Sequence, residues 1–310
     1  MFFIVTTGRS GSTSIAQYIS TSDNCICIHE PKPSLVSEAV EYLYGVFSQD
    51  QMVNLLKATR HHEQDGCVYG ESNQKLSFII PAIQSAFPDS KFIWLARDGR
   101  NVVSSIFALG WYDPDLLKGS KWQDNLVIAP NVGDLSEKQW DSMSSFDRCC
   151  WYWSFTNRLI KTKLLACNIQ NWGFVKIEAI DYNLINSLLG LKGCKKKIPW
   201  VNKKRKAKNN QDWSSWDEGQ KESFKRYCGP MMDELYPGWE SPNGEWIVLN
   251  SLPIGTKIKH SFQNLLVNIK GKNSILYKAV NIPVQFVFRK HAPKILSKLD
   301  YIYKKISGEY

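Results

Sequence analysis

The chain has 310 residues, 43% of them hydrophobic, enough to bury a large core and too apolar for a disordered segment. It has no run of about 18 apolar residues, which excludes a spanning helix of the usual kind. Lys and Arg outnumber Asp and Glu, for a net charge of +10, so an anionic partner is expected: nucleic acid, an acidic membrane surface, or a polyanionic cofactor or substrate. The first apolar run stops after five residues at a Gly-containing turn, too short for a secretory signal, and a cytoplasmic protein is expected. Eight cysteines without a Cys-x-x-Cys pair, and only five histidines, give no zinc pattern. The thiols read as small apolar core residues.

In chain order, residues 2–7 are a short β-rich run, and 8–11 a Gly-containing turn that opens a helix over 12–20. Residues 25–29 form a second strand, closed by Glu30-Pro31-Lys32-Pro33. Helical periodicity follows over 34–47, with Ser34 as candidate cap ahead of Ser37-Glu38. A third strand at 66–70 and a helix at 76–87 come next. Residues 91–96 are a continuous apolar run, as expected of a buried parallel strand, and end in Arg97-Asp98-Gly99-Arg100. Asp98 then caps a helix that reaches about residue 109. Residues 110–145 show no period and read as a functional loop or lid. A long aromatic helix (146–166), a strand (173–177), a basic segment (192–208) and a helix (216–235, capping box Ser215…Glu218) complete the pattern. Alternating strands and helices predict an α/β fold with a mostly parallel central β-sheet flanked by helices.

The chemistry gathers at Thr6-Thr7-Gly8-Arg9-Ser10-Gly11-Ser12-Thr13-Ser14. A strand enters, the glycines permit a tight turn, and the exposed N–H groups of a new helix favour a phosphate. No lysine follows Gly11, so this is not the Walker A loop of ATP- and GTP-hydrolysing proteins. Far along the chain, Arg97 stands at the end of a buried strand, and Ser105 lies about two turns into the next helix. Together the two are suited to grip a second phosphate.

These two elements resemble the cytosolic and Golgi sulfotransferase superfamily. Gly8-Arg9-Ser10-Gly11-Ser12-Thr13 is similar to its 5′-phosphosulfate loop, in wording closer to the carbohydrate and bacterial branch. Leu95-Ala96-Arg97-Asp98-Gly99-Arg100-Asn101-Val102-Val103-Ser104-Ser105 is similar to its 3′-phosphate motif, with Gly99 where the family has proline. Phe174-Val175-Lys176-Ile177-Glu178 looks like its later strand ending in Glu, and residues 213–236 like its terminal helix. The resemblance covers about residues 1–240 and implies a three-layer sandwich like that of P-loop nucleotide kinases. It also implies transfer of the sulfuryl group of 3′-phosphoadenosine 5′-phosphosulfate to a hydroxyl or amine of a carbohydrate or small polar metabolite. The displacement is in line, needs no metal, and leaves adenosine 3′,5′-bisphosphate.

On that resemblance, Arg9 holds the transferring group. Gly8, Ser10, Gly11, Ser12, Thr13 and Ser14 hold the 5′-phosphate, while Arg97 and Ser105 hold the 3′-phosphate. One or two of Lys203, Lys204 and Arg205 fold over the same end. Glu30 is the expected base, with His29, Glu71 and Asp113 as alternatives. Glu71, Trp111 and Tyr112 are expected on the acceptor side, and one of Trp200, Trp213 and Trp216 on the adenine. Residues 241–310 lie outside the resemblance. They are expected to pack on the domain, to carry a homodimer contact or to touch an acidic membrane peripherally. Two rival classes stand beside this reading: a nucleotide or small-molecule kinase of related fold, and a basic module binding nucleic acid or membrane. Glu30 and Glu71 near the loop speak against nucleic acid there.

Overall fold

The computed structural model describes residues 1–60, 63–64, 67–118, 125–166, 171–194, 212–241 and 246. The chain divides into two compact units, Met1–Leu252 and Pro253–Tyr310. The expectations for Trp200, Lys203, Lys204, Arg205 and the C-terminal stretch beyond 246 fall outside the described residues.

The strands are β1 (Phe2–Val5), β2 (Cys25–His29), β3 (Glu63–Gln64), β4 (Cys67–Ser72), β5 (Lys91–Ala96) and β6 (Trp172–Lys176). The helices are α1 (Ser12–Ile19), α2 (Val36–Leu43), α3 (Gln49–Thr59), α4 (Ile80–Ala86), α5 (Gly99–Phe107), α6 (Pro114–Leu117), α7 (Glu137–Asp141), α8 (Ser145–Leu165), α9 (Tyr182–Leu189) and α10 (Glu218–Leu235). Five strands run parallel in the order β2-β4-β1-β5-β6, and β3 pairs antiparallel with the start of β4.

Every residue of β1 is fully buried. Its side chains alternate, as a pleated strand dictates. Phe2 and Ile4 join Ile93, Leu95 and Val175 on one face, against α1 and α9. Phe3 and Val5 join Phe92, Trp94 and Ala96 on the other, against α2 to α5, α8 and α10. Each such apolar side chain contributes about 1.5–3 kcal/mol of burial. The result is an α/β three-layer sandwich. Trp94 crosses to α8, where its indole N–H donates to Asn157 Oδ1 at 3.1 Å, so the polar atom it buries is satisfied. No helix among the described residues is long and apolar enough to cross a membrane. The described cysteines are unpaired, and Cys149, Cys150 and Cys228 are buried as apolar fillers.

Several boundaries differ from the sequence expectation. The helix expected over 34–47 ends at Leu43, where Gly45 takes φ 77°, and Ser48 with Gln51 caps a separate α3. Pro81 starts α4 afresh after a 3₁₀ turn at Gln74–Phe78, so the helix expected over 76–87 is two elements. The last helix is capped by Asp217 with Gln220, because Trp213–Ser215 is itself a 3₁₀ turn. The aperiodic stretch 110–145 contains α6 and α7, each too short to show a period. β4 runs to Ser72, beyond the expected residue 70, which puts Glu71 inside the strand and not at its end.

Candidate anion-binding site

Because the five strands are parallel, the segments following β1, β2, β4, β5 and β6 all leave the sheet at one edge. In open α/β sheets that edge is where ligands bind. Residues 6–11, Glu30, Asn73-Gln74, Arg97-Asp98 and Ile177-Glu178 therefore share it.

The loop after β1 is held from below. Ser77 Oγ accepts from the Thr6 amide at 2.9 Å and donates to the Thr6 carbonyl at 2.8 Å. Ser10 Oγ donates to the Gly8 carbonyl at 2.9 Å and sits 3.0 Å from Thr7 Oγ1. Gly8, Arg9 and Gly11 all have positive φ, at 79°, 53° and 82°. Left-handed geometry is routine for glycine and strained for arginine. A Cβ on Gly8 would meet Gln74 Oε1 at 1.9 Å, and one on Gly11 would meet Ile177 Cδ1 at 2.8 Å. A side chain at Gly11 would press on Ile177 and one at Gly8 would displace the Gln74 amide, so bare backbone shapes the cradle at both points. α1 begins directly on Gly11 with no side-chain cap and no acidic residue in its first turn. Its free N–H groups and dipole face the loop unneutralised.

The loop and the Arg97 turn meet. Arg97 Nη1 donates to the Arg9 carbonyl at 2.7 Å, and Arg9 Nε donates to Ser105 Oγ at 3.0 Å. Burial, and next the Arg97 guanidinium, lower the Arg9 pKa from its usual value. Among the described residues neither arginine is paired with a carboxylate. Two adjacent guanidinium groups without a carboxylate partner among the described residues, beside an uncapped helix start, concentrate positive charge at this edge.

A segment after β6 braces both parts. Ile177 lies under Gly11, and Glu178 Oε1 accepts from the Asp98 amide at 2.9 Å. Tyr236 at the end of α10 donates its hydroxyl to Glu178 Oε2 at 3.1 Å. Burial raises the Glu178 pKa. Asp98 caps α5 through the Arg100 amide at 2.9 Å and forms a buried ion pair with the Arg100 side chain. This orients the turn that carries Arg97.

Glu30 follows β2, two strands from the loop, about 10 Å by ordinary strand spacing. Its carboxylate is exposed and lies 4.0 Å from His29 Nε2, and its amide donates to the Ser72 carbonyl at 2.9 Å. Strand alternation aims Glu30 and His29 apart, but Glu30 has φ 51°, which turns it back beside His29.

Other expected residues have partners within the fold. Glu71 is fully buried and bonded to Arg60 Nε at 2.9 Å, also buried. Its carboxylate is closed off from any acceptor in this structure and acts as an ion pair beneath the site. Asp113 caps α6. Tyr112 is buried, with its hydroxyl donating to the Val127 carbonyl at 2.8 Å, while Trp111 packs edge-on to Tyr152. Trp213 lies over the Arg100 guanidinium at 4.6 Å and Trp216 is buried against Phe146, so both serve packing here. Sequence reading missed Gln74, whose side chain covers Gly8. The signal was its place just past the end of a parallel strand, on the edge where ligands bind.

Fold and site define an α/β protein in which Arg9, Arg97 and Ser105 meet beside the uncapped start of α1 at one edge of the sheet. No protein-family model and no curated protein sequence matches the chain significantly. Among solved structures, the sulfotransferase domain from the curacin biosynthetic pathway is similar over 57% of this chain and 67% of that one, at 13% identity and a TM-score of 0.35.

Proposed function

We propose that the chain is a sulfotransferase using 3′-phosphoadenosine 5′-phosphosulfate as donor and a hydroxyl or amine of a carbohydrate or small polar metabolite as acceptor. The observation that carries this reading is the meeting of Arg9, Arg97 and Ser105 over the uncapped start of α1. A donor with phosphate groups at both ends of its ribose needs such a two-part grip. The motif resemblance assigns the 5′ end to residues 8–14 and the 3′ end to Arg97 and Ser105.

In the reaction, a lone pair of the acceptor oxygen or nitrogen forms the new bond to sulfur. The bond from sulfur to the 5′-phosphate oxygen breaks, and its electron pair stays on that oxygen. The acceptor proton passes to the Glu30 carboxylate. Arg9 meets the charge that grows on the departing phosphate, where a fixed donor is most effective. The loop amides and the hydroxyls of Ser12 and Thr13 fix its oxygens in line.

Calorimetry and kinetics test the reading. Adenosine 3′,5′-bisphosphate is expected to bind and ATP–Mg²⁺ not to. Arg97→Ala is expected to weaken that binding by on the order of 10- to 100-fold. Arg9→Ala is expected to lower turnover by about 10²- to 10³-fold. ATP–Mg²⁺ binding without bisphosphate binding overturns the reading, and full activity in Glu30→Gln removes Glu30 as the base.

A further inference from the structure

A cavity of about 250 Å³ opens between the segment after α5 and the start of α8. That is somewhat below the volume of drug-sized ligand sites and suits a single substituted ring. Tyr112, Pro114, Leu126, Ile128 and Trp140 form apolar walls, and Lys118 and Arg148 supply charge. The walls are pinned through their backbones. Ser145 Oγ donates to the Tyr112 carbonyl at 2.9 Å, and the Ile128 amide donates to Tyr44 Oη at 2.9 Å.

The charges in this cavity are unanswered. Among the described residues, neither Lys118 nor Arg148 pairs with a carboxylate, and no acidic side chain lines the cavity. Arg148 stacks over the Trp140 ring at 4.7 Å and donates Nη2 to the Trp140 carbonyl at 3.0 Å. Its Nε is buried without a hydrogen-bond partner. Asp147, its neighbour in sequence, accepts from the Ser144 amide and hydroxyl through Oδ2, at 3.0 and 2.7 Å. An arginine held flat, with no carboxylate partner among the described residues, is suited to a carboxylate or sulfate oxygen.

Both walls rest on elements that also build the donor site. Tyr112 follows α5, whose Ser105 receives Arg9. Leu126 follows Asn125, whose carbonyl accepts from Lys75 Nζ at 2.5 Å, and Lys75 is next to the Gln74 that covers Gly8.

We propose that this cavity holds the ring of the acceptor, and that the acceptor already carries an anionic group, a carboxylate or a sulfate, bound by Arg148 and Lys118. This rests on the sulfotransferase reading above. The test measures binding of paired probes to the full chain: glucuronate and glucose 6-sulfate against glucose, and 4-hydroxybenzoate against 4-hydroxybenzyl alcohol.

The expected result is that at least one anionic probe binds on the order of 10-fold tighter than its neutral counterpart. Arg148→Gln and Lys118→Gln should each abolish that preference while adenosine 3′,5′-bisphosphate binds as before. Lys118 is exposed, so its variant keeps the test alive if Arg148→Gln fails to fold. No anionic preference in the wild type, or a preference that survives Lys118→Gln and any folded Arg148→Gln, overturns the proposal. Loss of bisphosphate binding in the wild type instead sinks the sulfotransferase reading. Anionic rings binding without it leave a ligand site but remove the acceptor role.

Discussion

Lys75 carries an ammonium group into a place with almost no water. Its side chain is buried, donates to the Asn125 carbonyl and lies 5.1 Å from the Phe78 ring centre. Burial pulls its pKa down to about 7. The sign of the pH effect follows. Between about 7 and the ordinary lysine value the folded protein has released this proton and the unfolded chain still holds it, so unfolding takes up a proton and stability rises with pH across that window. Below it both states are charged and the full cost of burying the ammonium remains. Lys75→Met should therefore gain most in melting temperature, relative to wild type, at pH 6, with the gain shrinking towards pH 10. A difference that stays constant from pH 6 to 10 means that Lys75 titrates like an exposed lysine. In sequence, nothing marks this residue: Gln-Lys-Leu at a strand end gives no hint that the lysine turns inward.

At the scale of an element, the turn between β1 and α1 works because two of its residues lack side chains. Alanine at Gly11 has to hold a left-handed backbone, at about 1–2 kcal/mol, and push against Ile177 as well. Gly11→Ala is expected to lower the melting temperature by several degrees and weaken bisphosphate binding more than 10-fold. Gly8→Ala meets only the end of the flexible Gln74 side chain beyond the same backbone cost. It should affect binding more than stability, by displacing that amide from the loop. Unchanged melting and affinity in both variants rules out the cradle. This turn was legible from the sequence because its glycines are spaced for it and a strand and a helix flank it. Glu71 was misread for an equally local reason. Strand ends cannot be placed to the residue from pattern alone, and two further residues of β4 moved that carboxylate from an edge into a buried pair with Arg60.

For the whole molecule, parallel order and the two-faced core could be expected from apolar runs alternating with helices. The splitting of the helix expected over 76–87, the caps inside 110–145 and the cavity they wall could not, because those elements are set by tertiary contacts and are too short to show a helical period. The residues of the anion-binding edge all fall within the unit Met1–Leu252. A fragment ending at Leu252 should therefore unfold cooperatively and bind adenosine 3′,5′-bisphosphate within a few-fold of the full chain, as read by calorimetry. A fragment that folds but no longer binds makes residues 253–310 part of the site.

Ile177 and Glu178 add a constraint of another kind. One side chain supports the loop after β1 and the next holds the turn that carries Arg97. The two subsites are therefore not independent variables. Tolerated sequence change at this dipeptide is constrained by both at once, and on the proposed function a substitution there that alters the grip on one phosphate should alter the grip on the other.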